Sequence, residues 1–454
     1  MCDACDPIPP APSRRQVLGW GAAAAALGAF GGLAPRRALA EEARPATPGD
    51  LPGRGQAKQV VFLYMNGGAS HFETFDPKPG TTAGGPTRTI ATKVPGVAIA
   101  STLPLLAERM DRIALIRGMS TKEGNHDRAR YLMHTGYAPT PTVSHPSFGA
   151  WLSHEVAPAD ADLPAYIAVN GPGGGAGLVG PGHAPFQVRA PGTGGERRPG
   201  AGGAMARRGG GAVVENLEAP DGIGAARRDR RLDLLAELNE GFGARHGTGM
   251  TQAQAAMFER ARRLMDTPKN TAFDLEQESA ATQDRYGRST FGRGCLMARR
   301  LLDQGVTCVE VMSNGWDTHD DNFSRVAALN AEVDQGASAL LDDLAASGRL
   351  AQTLVVWLGD FGRTPRITAS QGRGHFPAAW STWLAGGGVQ GGRVIGSTNA
   401  DGSEVVDGRV TVEDLFASMT HATGMDPQRT LYANGRPISL VNEVGRPVVD
   451  LFRS

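Results

Sequence analysis

Residues 60–65 read Val-Val-Phe-Leu-Tyr-Met, an unbroken apolar run that stops at Asn66-Gly67-Gly68. A short continuous apolar run bounded by turn residues marks a strand buried on both faces. Four more segments share this character, over 113–116, 165–169, 306–312 and 354–358. Helical periodicity occupies much of the chain between them, over 103–110, 127–134, 147–156, 291–303 and 331–348. Buried strands separated by helices predict an α/β fold, with a doubly wound, mainly parallel sheet flanked by helices. No internal repeat cuts across this alternation.

Two regions break the pattern. From about 171 to 224 the chain is rich in Gly, Pro and Arg, as in Glu196-Arg197-Arg198-Pro199 and Arg207-Arg208-Gly209-Gly210-Gly211. Such a segment buries little apolar area and is expected to be a loop-like insertion. It reads either as a lid presenting arginines to an anionic substrate or, more simply, as a solvated insertion. Residues 225–267 are helical in pattern and highly charged, over 227–238 and 252–265, and predict a helical cap or a pair of surface helices.

The N-terminus carries Ser13-Arg14-Arg15-Gln16-Val17-Leu18, an alanine-rich apolar run over 19–34, and a small-x-small site at Ala38-Leu39-Ala40. These are the parts of a twin-arginine secretory signal cut after Ala40, which places the protein in the periplasm or outside the cell. The expected organisation is a signal over 1–40, a linker over 41–58 and one α/β domain over 59–454. After processing no transmembrane span is expected, because the one long apolar run is lost. Cys2 and Cys5 leave with the signal. Cys295 and Cys308 remain, either as a disulfide made possible by export or as two small buried side chains.

The 454-residue chain balances 46 Lys and Arg against 46 Asp and Glu, so no strong overall field favours nucleic acid or an anionic membrane. The chemistry suggested by the residues lies elsewhere. Gly315-Trp316-Asp317-Thr318-His319 closely follows the apolar run at 306–312. In extended chain, Asp317 and His319 point to one face. A carboxylate and an imidazole past the end of a parallel strand are the materials of a metal or catalytic site. Asn66, His71, Glu73 and Asp76 follow the first strand, Asp360 follows 354–358, and His126 and His375 lie in Gly-containing turns. Any one of them is ordinarily a cap or a turn former. Together they fall near strand ends that converge on one edge of a parallel sheet.

Several of these segments together resemble an exported bacterial family, domain of unknown function 1501. The resemblance rests on Gly67-Gly68-x-Ser70 with Phe75-Asp76-Pro77-Lys78-Pro79 and on Asn125-His126 with His134-Thr135-Gly136. It rests also on Gly315-Trp316-Asp317-Thr318-His319 with Asn322, and on Phe361-Gly362-Arg363-Thr364-Pro365 with Gly374-His375. That family looks like a branch of the alkaline phosphatase and sulfatase superfamily, which implies an alkaline phosphatase/sulfatase-like fold and one or two divalent metals at the strand C-terminal edge.

Carried over residue by residue, the resemblance puts His126 at the superfamily's nucleophile position and Arg130 on its arginine, which implies catalytic roles for both; for His126 the alternative is that it only ligates metal or caps the helix. No Cys or Ser stands at 126 to become formylglycine, which argues against ordinary sulfatase chemistry. His126 precedes the helix expected over 127–134, whose N-terminal N–H groups would favour a bound anion, and that helix end would lower the His126 pKa. Asp360 matches a metal-binding Asp, whereas Phe361 replaces a ligand, and Asn66 stands near another ligand position. The expected metal set is therefore Asp317, His319, His375, Asp360 and Asn66, around Zn²⁺ or Mn²⁺, with Asp360 either a ligand itself or a partner behind one. Asn125 and Arg363, within the shared motifs, are expected to contact substrate. The activity implied is hydrolysis of phosphate or sulfate esters, of small or polymeric anionic substrates. The alternatives are a non-catalytic exported binding protein on a degenerate hydrolase fold and a surface-assembly component whose insertion binds an anionic polymer.

Overall fold

The computed structural model describes residues 51–191, 222–247 and 249–453. The signal sequence and residues 192–221 of the insertion lie outside the described residues. The compact unit is Thr47–Ser454.

Its centre is an eight-stranded sheet: β1 Gln59–Met65, β2 Ile113–Met119, β3 Tyr166–Val169, β4 Phe186–Val188, β5 Cys308–Ser313, β6 Thr353–Gly359, β7 Trp380–Ala385 and β8 Arg393–Ile395. The spatial order is β8-β2-β7-β6-β1-β5-β3-β4. All neighbouring pairs run parallel except those made by β7, which is antiparallel to both β2 and β6. The period-2 pleat of β1 feeds two cores. Val61, Leu63 and Met65 join one apolar layer, while Val60, Phe62 and Tyr64 join the other. Both faces of the sheet are thus covered, as the alternation of buried strands and helices predicted.

Helices pack on these layers with ordinary end signals. Asn125 caps His126–Thr135 by accepting from the Arg128 N–H at 3.2 Å, and Gly136 ends it at φ 73°. Ser147 caps Phe148–Glu155 in the same way. The helices Thr290–Asp303 and Asn322–Ala346 pack together where Gly336 faces Gly292, and a Cβ on Gly336 would sit 3.1 Å from the Gly292 Cα. Cys295 and Cys308 are free and buried.

Several expectations are corrected. The helix read over 103–110 is a single turn, Pro104–Ala107, followed by the 3₁₀ turn Met110–Arg112. Asp334 of the long helix accepts from the backbone N–H groups of Leu105 and Leu106 at 2.9 and 2.7 Å, fixing the start of that turn from outside. The long helix itself begins at Asn322, nine residues earlier than its pattern suggested. The segment read as a loop from 171 contributes β4, an edge strand paired with β3. β7 escaped notice because Ser381 and Thr382 interrupt its apolar run. Both are buried, and Thr382 satisfies its hydroxyl by donating to the Trp357 carbonyl. As expected, residues 225–267 are mostly helical, in two helices, Ala225–His246 and Gly249–Asp266.

Candidate metal centre

Register decides what meets at the sheet edge. Met65, the last residue of β1, pairs with Ser313 on one side and Gly359 on the other. Asn66, the 314–317 turn and Asp360 therefore leave the sheet side by side. β2 ends at Met119 on the same edge, and its continuation carries His126. His375 arrives by another route. Because β7 is antiparallel, its first residue Trp380 pairs with Met119, so the approach to β7 enters at the edge where the parallel strands finish. The hairpin Gly362–Ile367 and Arg373–Phe376 spans that approach and delivers His375.

Asp317 sits at the focus. Its Oδ1 lies 3.2 Å from His126 Nε2, 3.2 Å from His375 Nε2 and 2.9 Å from His319 Nε2. The ligand atoms of His126, Asp317 and His375 all lie within 4.8 Å of one another. Four donors around zinc at about 2.0 Å would stand about 3.3 Å apart in a tetrahedron. The spacings from Asp317 to the three imidazoles, 2.9–3.2 Å, are close to that.

Asp317 is held from behind by Arg363, whose Nη2 donates to Oδ1 at 2.6 Å. Burial resists ionisation of Asp317, but the hydrogen bond and charge of Arg363, helped by His126 and His319, outweigh it and hold the carboxyl at about 2. Arg363 was expected to touch substrate. It is instead fully buried, with Nε on the Gly68 carbonyl at 2.9 Å and further bonds to the carbonyls of Gly67, Trp316 and Arg373. Its place is structural, tying the β1 turn to Asp317. That turn needs glycine: Gly67 has φ 112°, and a Cβ there would lie 2.5 Å from the Asp317 nitrogen.

The histidine tautomers follow from their other partners. His375 Nδ1 faces the Gly124 carbonyl at 2.9 Å, and a carbonyl only accepts, so the proton sits on Nδ1 and the Nε2 lone pair faces the cluster. Burial lowers the His375 pKa, which favours that neutral form. His126 Nδ1 lies 2.7 Å from Asp360 Oδ2, which likewise puts the Nδ1 proton against the carboxylate. His126 Nε2 is near Asp317 but misaligned for a hydrogen bond and has no partner. The hydrogen bond to Asp360 raises the His126 pKa, overcoming desolvation; the lowering expected from the helix start is therefore corrected. Three acceptor atoms facing one point, each imidazole anchored through its other nitrogen, form a donor set that fits a divalent cation.

Asp360 belongs behind this set rather than in it. It is fully buried, its Oδ1 accepts from the Tyr64 hydroxyl at 2.5 Å, and its Oδ2 accepts from His126 and from the Gly67 N–H at 3.2 Å. Asn66 donates from Nδ2 to Asn314 at 2.9 Å, and its buried Oδ1 has no partner. His319 is the most exposed of the four residues, and its Nε2 is 3.0 Å from His375 Nε2. Arg130 lies one turn beyond His126, and its buried Nε has no partner. Asn125 is exposed and its side-chain oxygen caps the helix.

The match to the family model described as protein of unknown function DUF1501 covers residues 57–452. The chain belongs to that family. Among curated proteins no relative was found. Solved structures that this DUF1501 chain resembles include the PsFucS1 sulfatase from Pseudoalteromonas sp., at 12% identity, TM-score 0.40, covering 89% of this chain and 73% of that one. The lipoteichoic acid synthase LtaP from Listeria monocytogenes matches at 9% identity and TM-score 0.38, covering 88% and 77%. An alkaline phosphatase superfamily protein from Vibrio parahaemolyticus matches at 11% and 0.35, covering 83% and 69%.

Sequence reasoning missed the layer beneath the site of this DUF1501 chain. Glu310, in the middle of β5, is buried and contacts His134 Nε2 at 3.1 Å and the Tyr166 hydroxyl at 2.7 Å. Burial opposes its ionisation, yet the His134 charge keeps the Glu310 pKa below its ordinary value. Tyr64, which holds Asp360, stacks on His134 at 4.7 Å between ring centres. A lone Glu inside the apolar run at 306–312 was the available signal, since a buried carboxylate demands partners.

Proposed function

We propose that this protein is an exported, metal-dependent hydrolase of phosphate or sulfate esters. The observation that carries the reading is the convergence of His126 Nε2, His375 Nε2 and Asp317 within 4.8 Å, with both Nδ1 atoms tied to acceptors behind them. His126, Asp317 and His375 would hold one divalent ion, with His319 as a further donor. Imidazole with carboxylate suits Zn²⁺ or Mn²⁺ better than Ca²⁺. When bound, the ion would supply Lewis acidity toward an anionic ester oxygen.

The chain's own residues divide the remaining work. Asp360 orients His126 and raises its basicity as a ligand. Arg363 keeps Asp317 ionised. Arg130, with its unpartnered Nε, would attract the negative charge of the ester, and Asn125 and His319 line the open side. With Nδ1 held by Asp360 and Nε2 facing the position a metal would take, His126 would act as a ligand rather than a nucleophile, leaving water as the attacking group.

A non-catalytic metal-binding role is the second reading, favoured by His126, held by Asp360 and facing Asp317, standing at the position where related enzymes carry their nucleophile. One experiment separates them. Protein purified without chelator is analysed for metal, then assayed on phosphomonoester, phosphodiester and sulfate-ester panels beside His126→Asn. Metal with hydrolysis, both lost in the variant, supports the enzyme; metal without any hydrolysis supports the binding role; no metal under any loading condition removes both. Export is tested separately: Arg14→Lys with Arg15→Lys should retain the chain in the cytoplasm, and the exported form should begin at Glu41.

A further inference from the structure

The helix Ala225–His246 packs against Gly249–Asp266 and leaves an unusual face outward. Leu234, Leu238 and Phe242 are 57%, 61% and 50% exposed, and Leu235 is 41% exposed. Residues 227, 231, 234, 238, 242 and 245 recur at offsets of 4, 7, 11, 15 and 18 from the first, which is one face of a helix. That face reads Arg-Arg-Leu-Leu-Phe-Arg: an apolar centre with arginine at both ends, all exposed. By the same spacing Asp229, Asp233 and Glu240 lie on the other side of the helix, and Glu237 borders the face beside Leu234. Asp229 pairs with Arg228 at 2.9 Å and Asp233 with Arg262 of the neighbouring helix at 3.1 Å. No ion pair of Arg227, Arg231 or Arg245 is formed among the described residues.

We infer that this face seats on an anionic phospholipid surface. Contiguous exposed apolar residues on a soluble domain mark an interaction site. A helix lying in the bilayer interface buries Leu and Phe at the acyl boundary while arginines reach the anionic headgroups. A second copy of this chain fits less well. Laid antiparallel, the copy brings Arg245 toward the partner's Arg227 and Arg231; laid parallel, each arginine meets its own counterpart. No described helix is long and apolar enough to cross a membrane, so the attachment is interfacial.

The test uses residues 41–454, which contain the compact unit and omit the N-terminal apolar run. Vesicles of phosphatidylglycerol and of phosphatidylcholine are sedimented with the protein at low and high salt. Pelleting with phosphatidylglycerol, weakened by salt and near background with phosphatidylcholine, is expected. Leu234→Glu with Leu238→Glu should cut binding by at least about tenfold, and Arg227→Gln with Arg231→Gln and Arg245→Gln should weaken pelleting at low salt to the level that the unmodified protein shows at high salt. These positions are solvent-exposed, and unchanged circular dichroism and melting confirm that each variant is folded. Absence of pelleting, or equal pelleting of all variants, overturns the inference. So does a dimer in sedimentation velocity that the leucine variant abolishes, which would assign the face to a second copy.

Discussion

Asp360 Oδ2 stands 2.7 Å from His126 Nδ1, across 234 positions of sequence. This contact fixes which ring nitrogen of His126 faces Asp317. Replacing Asp360 with Asn keeps the volume but weakens the acceptor and its charge. Supporting partners of this kind change metal affinity by about 10- to 100-fold. Asp360→Asn should therefore retain the fold and bind Zn²⁺ about 10- to 100-fold more weakly in a competitive chelator titration. Unchanged affinity would show that the contact does not tune the site.

Arg363 should be needed for the fold as well as for Asp317. Its guanidinium is buried against four carbonyls and one carboxylate. The Asp317 side chain is 44% exposed, so the main cost of removing Arg363 is the buried carbonyl acceptors it strands, at about 1–3 kcal/mol for each left unsatisfied. Arg363→Met should lose stability of that order in urea unfolding. The Asp317 carboxyl should titrate well above its present value of about 2, which carboxyl NMR can follow.

Gly67 should tolerate no side chain. At φ 112°, with a Cβ due 2.5 Å from the Asp317 nitrogen, alanine must push the 316–317 turn outward. Incompatible backbone substitutions cost more than about 1 kcal/mol. Gly67→Ala should lower the melting temperature and weaken metal binding together, whereas Gly80→Ala, where a Cβ meets nothing within 4 Å, should affect stability without touching metal.

Acid sensitivity should come partly from His71. Burial drops its pKa from 6.5 to about 4. Between those values the unfolded chain binds the proton and the folded chain does not. Its contribution is complete above pH 6.5 and is lost as pH falls toward 4, up to about 3 kcal/mol at about 1.4 kcal/mol per unit. Urea midpoints measured from pH 7 to 4 should fall, and His71→Gln should flatten part of that slope.

The strands and helices that carry the site were largely legible. The strands β1, β2, β3, β5 and β6 and the helix at 126 appear in sequence within a few residues of their observed bounds, as does the alternation that implies a parallel sheet. Asp317, His319 and His375 were also legible as one cluster, because strand ends in such a sheet share an edge. These features depend on local periodicity and on turn chemistry, which neighbouring residues set.

The roles within the cluster were decided only by the tertiary structure. His126 joined Asp317 and His375, Asp360 withdrew behind His126, and Arg363 turned inward. Which strand lies beside which is not a local property, and the reversed β7, masked by Ser381 and Thr382, is what brings His375 to the edge. A carboxylate or guanidinium has the same sequence signature whether it faces solvent or a buried partner. Only the packed sheet, by removing water from Asp360, Arg363 and Glu310, makes each one take the partner it has, because an ionic group without water must be satisfied by the protein.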